Sequence, residues 1–308
     1  MFSYRHAFHA GNHADVFKHI TLLAVLNYLT QKDAALTLID THAGAGLYRL
    51  DGDYSLTSGE AGQGVLRLAS ALRDPQQAVQ SPAPALQAYL DLLSELNPDF
   101  GQSSDPARLA VYPGSPYIAS RFLQGRHKLR LYELHPTDFR ALSGNMAQLD
   151  LGRSVSCHLQ NGFDALKALL PPPSRRALVI CDPSYELKTD YGRVAAVIGE
   201  ALTRFATGTY AIWYPLIPRP EAHDLPRKLK TLAQRAQRTW LDATLTVKSS
   251  KLRQTVDGEI VRPGLPASGM FLINPPFTLH QQLEAALPQL ASCLGQDQHA
   301  GHTLARGD

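Results

Sequence analysis

The chain has 308 residues, 44% of them hydrophobic and 19% charged, a balance too apolar for a disordered segment and a length sufficient to bury a full core. Thirty Lys and Arg against 27 Asp and Glu leave a net charge of +3, which excludes a histone-like polycation but allows a local basic face. The three cysteines, Cys157, Cys181 and Cys293, are widely spaced with no CxxC, so a disulfide framework and a Cys-rich zinc site are excluded and a reducing, cytoplasmic setting is expected.

Residues 1–19 are polar and His-rich, without the apolar stretch of a secretory signal, and no run of 18 apolar residues occurs anywhere. Neither export nor a membrane span is expected. His6, His9, His13 and His19 invite a metal reading, but nothing else in the segment completes a ligand set, and no metal is expected. Tyr4, His6 and Lys18 suit a nucleotide better, through ring stacking and phosphate contact. Asp15 caps or flanks the start of a helix over 16–29.

Strand-type runs follow at 36–39, 129–132, 155–159, 178–181, 210–214, 243–247 and 270–273, with helix-period segments such as 195–205 between several of them. This alternation predicts an α/β fold: a Rossmann-like, mostly parallel seven-stranded sheet. The last two runs are joined by a long linker poor in apolar residues, and are expected to pair antiparallel at the sheet edge. About 90 residues separate the first two runs, far more than a crossover needs. Helical patterns at 61–72 and 85–96 fill that gap. The expected organisation is therefore a core domain from 1–51 and 111–294, a helical insertion at 52–110, and a polar, flexible tail at 295–308. Pro171-Pro172-Pro173 should end a helix before the next strand.

The first strand runs into Asp40-Thr41-His42-Ala43-Gly44-Ala45-Gly46. Small residues here, Gly44 among them, let the backbone approach a ligand at a strand's C-terminal end. The pattern is not GxGxxG, and Asp40 would repel a pyrophosphate. A cofactor with a cationic sulfonium and an amino-acid tail suits an acidic loop, which favours S-adenosylmethionine; a plain tight turn is the bland alternative. The second strand ends at Glu133, where a carboxylate can hold a ribose diol, or can simply face water. The third ends at Asn161-Gly162, where an amide can meet the adenine amino group of a cofactor or merely make a turn.

The fourth strand ends in Asp182-Pro183-Ser184-Tyr185, close to the (D/N)-P-P-(Y/F) sequence of enzymes that methylate exocyclic amino groups. An adenine N6 lone pair is delocalised and poorly nucleophilic. Two acceptors, the Asp182 carboxylate and the Pro183 carbonyl, can orient its N–H groups for in-line attack, with Asp182 taking the surplus proton. Tyr185 can stack on the extruded base. Asn274-Pro275-Pro276-Phe277 fits the same letters better, but it follows the last strand, expected to lie far from the glycine loop. From Arg219 to Arg253 there are nine Lys or Arg and three Asp or Glu. Such a run is usually a solvated helix face; as an RNA contact, its Arg227, Lys228 and Lys230 would set the salt dependence of binding.

The opening Ser-Tyr-Arg-His-x-Phe-His-Ala-Gly-Asn-His-Ala-Asp-Val-x-Lys-His, Asp-Thr-His-Ala-Gly-Ala-Gly, Tyr-Pro-Gly-Ser-Pro at 112–116, Glu-Leu-His-Pro, and Arg-Phe-Ala-Thr-Gly-Thr-Tyr-Ala at 204–211 together resemble the bacterial 23S rRNA (adenine-N6)-methyltransferases, the family of ribosomal large-subunit methyltransferase J. The resemblance runs from residue 1 to about 288. It implies a Rossmann-like methyltransferase with a helical insertion, S-adenosylmethionine as methyl donor, and one adenine of 23S rRNA as acceptor. It places the cofactor at His19, His42, Ser115, Glu133, Asn161 and Gly162, the catalytic aspartate at Asp182, and a substrate-contacting tyrosine at Tyr4. Two departures stand out: Ser184 replaces the second proline, and Asn161 replaces an aspartate. The alternatives are a DNA adenine-N6 methyltransferase, a non-catalytic RNA-binding protein, and a nucleotide-dependent oxidoreductase, the last disfavoured by the missing GxGxxG. A monomer is expected.

Overall fold

The computed structural model describes residues 6–51, 59–73, 81–100, 109–251, 253–254, 260–261 and 264–308. Eight strands form one sheet: β1 (Thr37–Asp40), β4 (Lys128–Glu133), β5 (Val155–Leu159), β6 (Ala177–Cys181), β7 (Thr209–Leu216), β8 (Trp240–Thr246), β11 (Ala267–Ile273) and β12 (Gly301–Gly307). Their order is β12-β8-β11-β7-β6-β1-β4-β5. From β5 to β7 all pairings are parallel; from β7 to β12 all are antiparallel. Two short ribbons, β2 (Leu47–Arg49) with β3 (Val111–Pro113) and β9 (Arg253–Gln254) with β10 (Ile260–Val261), complete the strands.

Both faces are covered. One carries α1 (His13–Leu29), α2 (Val65–Ala71), α3 (Pro84–Leu96), α4 (Ser115–Ser120), α5 (Pro136–Ala147) and α9 (Leu279–Leu294). The other carries α6 (Gly162–Leu169), α7 (Lys188–Arg204) and α8 (Pro220–Arg235). This double cover explains the all-buried sequences Ala-Leu-Val-Ile-Cys of β6 and Ala-Ser-Gly-Met-Phe-Leu-Ile of β11: a strand between two helical layers has no wet face for polar residues. Gly269 of β11 is required by packing, since a Cβ there would lie 2.1 Å from the ring of Tyr214.

Helix α1 is buried on every side over residues 13–26, because it is held against the sheet by α3, α4 and α9. Asn12 caps its start, its side-chain oxygen accepting the Asp15 backbone N–H at 2.9 Å. Asp15 is therefore a first-turn residue rather than the cap. The two insertion helices expected at 61–72 and 85–96 appear as α2 and α3, bracketed by the β2–β3 ribbon.

Two expectations are corrected. The sheet has eight strands, not seven, because the tail is not frayed: residues 301–307 pair along their whole length with β8. The tail's polar composition concealed this. An edge strand is held mainly by its backbone ladder and needs few apolar side chains. Here Thr303 and Thr244 hydroxyls meet at 2.7 Å, and Gly307 leaves room for the Trp240 indole, which a Cβ would meet at 2.7 Å. The expected antiparallel pair at 243–247 and 270–273 is present as β8 and β11, one place in from the edge.

Candidate active site

The order β6-β1-β4 places the C-terminal ends of these three strands side by side, at the point where successive connections diverge to opposite edges. A cleft of about 510 Å³ opens there. His6, Lys18, His19, His42, Gly44, Ser115, Glu133, Asn161, Gly162, Asp182 and Pro183 all line it. Residues from His6 to Pro183 are thus gathered at one place. Tyr4 lies outside the described residues.

The walls are built by short, specific hydrogen bonds. Glu133, at the end of β4, accepts the Gly44 N–H at 2.8 Å on one oxygen and the His135 N–H at 2.7 Å on the other. The carboxylate is fixed with lone pairs to spare. Burial pushes its pKa upward. Gly44 sits at φ +60, the left-handed region, where a Cβ would meet the Tyr48 hydroxyl at 2.2 Å. Gly162 starts α6 so close to the β1 loop that a Cβ would lie 2.3 Å from the Thr41 carbonyl oxygen.

Asp40 is fully buried and lies beneath the cleft wall. It accepts the Ser115 hydroxyl at 2.7 Å and the His42 N–H at 3.2 Å, so its carboxylate orders the loop from below rather than facing a ligand. The Thr41 hydroxyl donates to the Ile180 carbonyl at 3.0 Å. Its oxygen can then only accept from His42 Nδ1, 2.8 Å away, which assigns the hydrogen to Nδ1 and leaves Nε2 as an acceptor.

His19 Nδ1 lies 3.0 Å from the Tyr112 hydroxyl, which in turn lies 3.0 Å from the hydroxyl of Tyr89 on α3. The insertion thereby braces a cleft residue. His19 Nε2 is buried and has no hydrogen-bond partner among the described residues. Tyr112→Phe leaves His19 Nδ1 and the Tyr89 hydroxyl unpaired in the core, and is expected to cost about 1–3 kcal/mol of stability in urea unfolding. An unchanged midpoint would mean the chain of hydroxyls is dispensable.

The least foreseeable contact joins α1 to β6. Lys18 Nζ sits between Asp15 (2.8 Å) and Asp182 (2.5 Å), with side-chain exposures of 7%, 3% and 14% respectively. Asp15 also accepts the Gly11 N–H and His6 Nε2, both at 3.0 Å. Burial works against the Lys18 charge, but the two carboxylates outweigh it and raise its pKa. Burial likewise opposes the Asp15 carboxylate, and His6 and Lys18 outweigh it, holding its pKa well below the usual range. Lys18, expected to meet a nucleotide phosphate, lines the cleft and spends two of its three N–H groups on carboxylates. The Asp15–Lys18 spacing on one helix face hinted at a pair; Asp182, 164 residues away, gave no local signal.

The expectation for Tyr185 is corrected. The residue stands at φ +53 and is 2% exposed. Its hydroxyl donates to the Trp213 carbonyl at 2.7 Å, and its ring packs against Tyr191 and Trp213. It does not line the cleft, and Ser184 does, so the ring is not available for stacking in this conformation. Asn161 accepts the Phe163 N–H at 3.0 Å, capping α6, and its NH₂ group remains as a donor at the cleft.

The rival Asn274 is set aside by strand direction. β11 runs antiparallel to β7, so its end lies at the opposite side of the sheet, where the Asn274 amide donates to the Ala206 and Gly208 carbonyls. The basic run also leads away from the cleft. Along α8, Arg227 pairs with Asp224 and Lys230 rests over the Trp240 ring. Arg219 stands nearer, 3.5 Å from the Tyr185 carbonyl. The N-terminal histidines are dispersed among partners, and among the described residues no group of three or more His, Cys, Asp or Glu could hold a metal ion. No described helix is long and apolar enough to cross a membrane.

Burial drives His19 to a pKa of about 3 and His13 to about 4. Burial lowers His42 to about 3 as well, but it is partly exposed at the cleft wall and contributes less. Unfolded imidazoles titrate near 6.5. Below that pH the unfolded chain takes up protons that the folded chain refuses, so this stability is complete above about pH 6.5 and drains as the pH falls. Asp40, raised by burial to about 6, acts in the other sense, as do the raised Glu133, Asp242 and His9, but the buried imidazoles together with the depressed Asp15 and Glu60 outweigh them. The thermal midpoint is expected to fall from pH 6.5 to pH 4; a flat or rising profile would show that these imidazoles protonate within the fold.

A parallel core with an antiparallel edge, and a cleft at its divergence point walled by a glycine loop, a strand-end carboxylate and an Asp-Pro turn, define a Rossmann-like α/β methyltransferase. The family model described as "Ribosomal RNA large subunit methyltransferase D, RlmJ" matches residues 33–305. The chain belongs to this family. It is 40% identical to the ribosomal RNA large subunit methyltransferase J of Haemophilus influenzae over 96% of its length and 94% of that protein's. It is 38% identical to the Escherichia coli protein of the same name, with the same coverage. Among solved structures, a protein from Legionella pneumophila str. Philadelphia 1 superposes with a TM-score of 0.78 at 29% identity, covering 97% of this chain and 99% of that one.

Proposed function

We propose that the protein methylates the exocyclic N6 amino group of an adenine in 23S rRNA, with S-adenosylmethionine as donor and no metal. The observation that carries this reading is the meeting of Asp182 and Pro183 with Glu133, Gly44 and His19 in one cleft, in a chain of the ribosomal RNA large subunit methyltransferase family.

The residues present fit the cofactor. Glu133 offers fixed acceptors to a ribose diol, Gly44 and Gly162 keep the backbone open to close approach, and the unpaired His19 Nε2 offers a polar atom inside the cleft. His42 and Ser115 complete the wall, and Asn161 Nδ2 suits a ring-nitrogen acceptor of the cofactor's adenine. When bound, S-adenosylmethionine supplies an electrophilic methyl group on sulfur.

The chain's own residues act on the acceptor. With Asp182 Oδ2 held by Lys18, Oδ1 and the Pro183 carbonyl receive the two N–H groups of the adenine amino group and turn its lone pair out of the ring plane. Once methylated, that nitrogen is strongly acidic, so an ordinary carboxylate suffices to take its proton. In this reading His6, which lines the cleft, and Tyr4 contact the acceptor nucleotide. RNA is favoured over DNA by the family, and the 2′-hydroxyl is the handle that would separate them.

Transfer of labelled methyl from S-adenosylmethionine to 23S rRNA lacking the modification, followed by nucleoside analysis, tests the reading. N6-methyladenosine is the expected product. Cofactor binding without transfer to RNA, or preferential transfer to DNA, would overturn it.

A further inference from the structure

An adenine inside an RNA stem cannot reach Asp182 without leaving the stack, and the gap it leaves must be filled or the stem recloses. Four large apolar side chains are strongly exposed among the described residues: Leu134, Leu159, Leu187 and Phe277. Two of them line the cleft. Leu134 follows Glu133 directly and belongs to its cofactor end. Leu187 lies five residues beyond Asp182, is 65% exposed, and belongs to neither apolar cluster.

Its backbone is rigid although its side chain is not packed. Leu187 is the N-cap of α7; its N–H donates to the Asp190 carboxylate at 3.2 Å, and its carbonyl accepts the Asp190 N–H at 3.0 Å. Leucine is a poor choice for an N-cap, where a short polar side chain stabilises the helix start. The helix start therefore gains nothing from this side chain. Lys188 follows it in sequence, a cation suited to a flanking phosphate; Arg193 lines the same cleft but is paired with Asp164 at 3.2 Å. An exposed apolar side chain on a fixed backbone at the mouth of such a cleft is the arrangement by which proteins insert a wedge between bases.

We propose that Leu187 enters the RNA stack in place of the extruded adenine, a positioning role that rests on the adenine-N6 reading above. Its test uses two short RNAs of the same sequence, one with the target adenine paired in a stem and one with the target unpaired opposite an abasic site. In single-turnover methyl transfer, Leu187→Ala is expected to lose tenfold or more on the paired RNA and less than twofold on the unpaired one. Leu187→Phe should restore most of the paired-RNA rate. With 2-aminopurine at the target position, the wild type should raise the fluorescence on binding and Leu187→Ala should not. Equal losses on both RNAs, or full activity on both, would overturn the wedge. No transfer by the wild type to either RNA would instead overturn the adenine reading, and the wedge with it.

Discussion

Asp182→Asn is expected to lower methyl transfer by about 10²- to 10⁴-fold, the usual weight of a positioned acid–base group, while cofactor affinity stays within about twofold. The substitution keeps the shape of the side chain but replaces one acceptor oxygen by a donor. The amide can still meet Lys18 through its oxygen, which directs its N–H₂ toward the place where Oδ1 would receive the adenine amino group. Two donors then face each other, and the lone pair is no longer drawn out of conjugation. Glu133, Gly44 and Ser115 are untouched, so the cofactor should bind. Single-turnover transfer beside calorimetric titration of the cofactor separates the two effects. A rate near that of the wild type would remove Asp182 from the chemistry.

Lys18→Met should have the largest effect on stability. It removes the cation from between Asp15 and Asp182, which lie 2.8 Å and 2.5 Å from Nζ at a nearly dry site. Breaking a buried pair by deleting one partner costs about 3–5 kcal/mol, because the charge left behind has lost both water and counter-ion. Here two carboxylates are left, and they repel. The Gly11 N–H and His6 still support Asp15, which keeps the cost within that range. Adding Asp15→Asn to Lys18→Met removes one of the stranded charges and should recover part of the loss. If the double variant is no more stable than the single one in denaturant unfolding, the loss came from packing and not from charge.

The legible part of this protein was its local part. Strand-to-loop transitions at Ile39, Glu133, Asn161 and Cys181 can be read because a buried parallel strand must be apolar and must stop abruptly where its ligand begins. What could not be read depends on how distant segments meet. Lys18 reads as a phosphate ligand, and only the fold places Asp182 beside it. Tyr185 carries the letter expected to stack, yet a left-handed backbone and the Trp213 carbonyl draw it into the core. Asn274 matches the sequence pattern better than Asp182; its place after the last strand already argued against it in the sequence, and the direction of β11 gives the structural reason. The C-terminal strand escaped notice because its stabilising contacts lie in its backbone.

The seating of the N-terminal segment has a kinetic meaning. The Gly11 carbonyl accepts the Val65 N–H at 2.8 Å, Glu60 Oε2 lies 3.0 Å from both Asn12 Nδ2, which donates to it, and His9 Nδ1, and Gly64 lies so close that a Cβ would meet the Gly11 oxygen at 2.1 Å. Helix α1, which follows, packs against α9 at residues 279–294. Lys18, the cation that holds Asp182, is therefore synthesised well before residues 279–294, whose helix packs against its own. Such long-range closure is slow relative to local folding. A chain that has made the glycine loop and the Asp-Pro turn but not yet residues 279–294 therefore holds every cleft residue without one of the helices that pack the Lys18 helix in place.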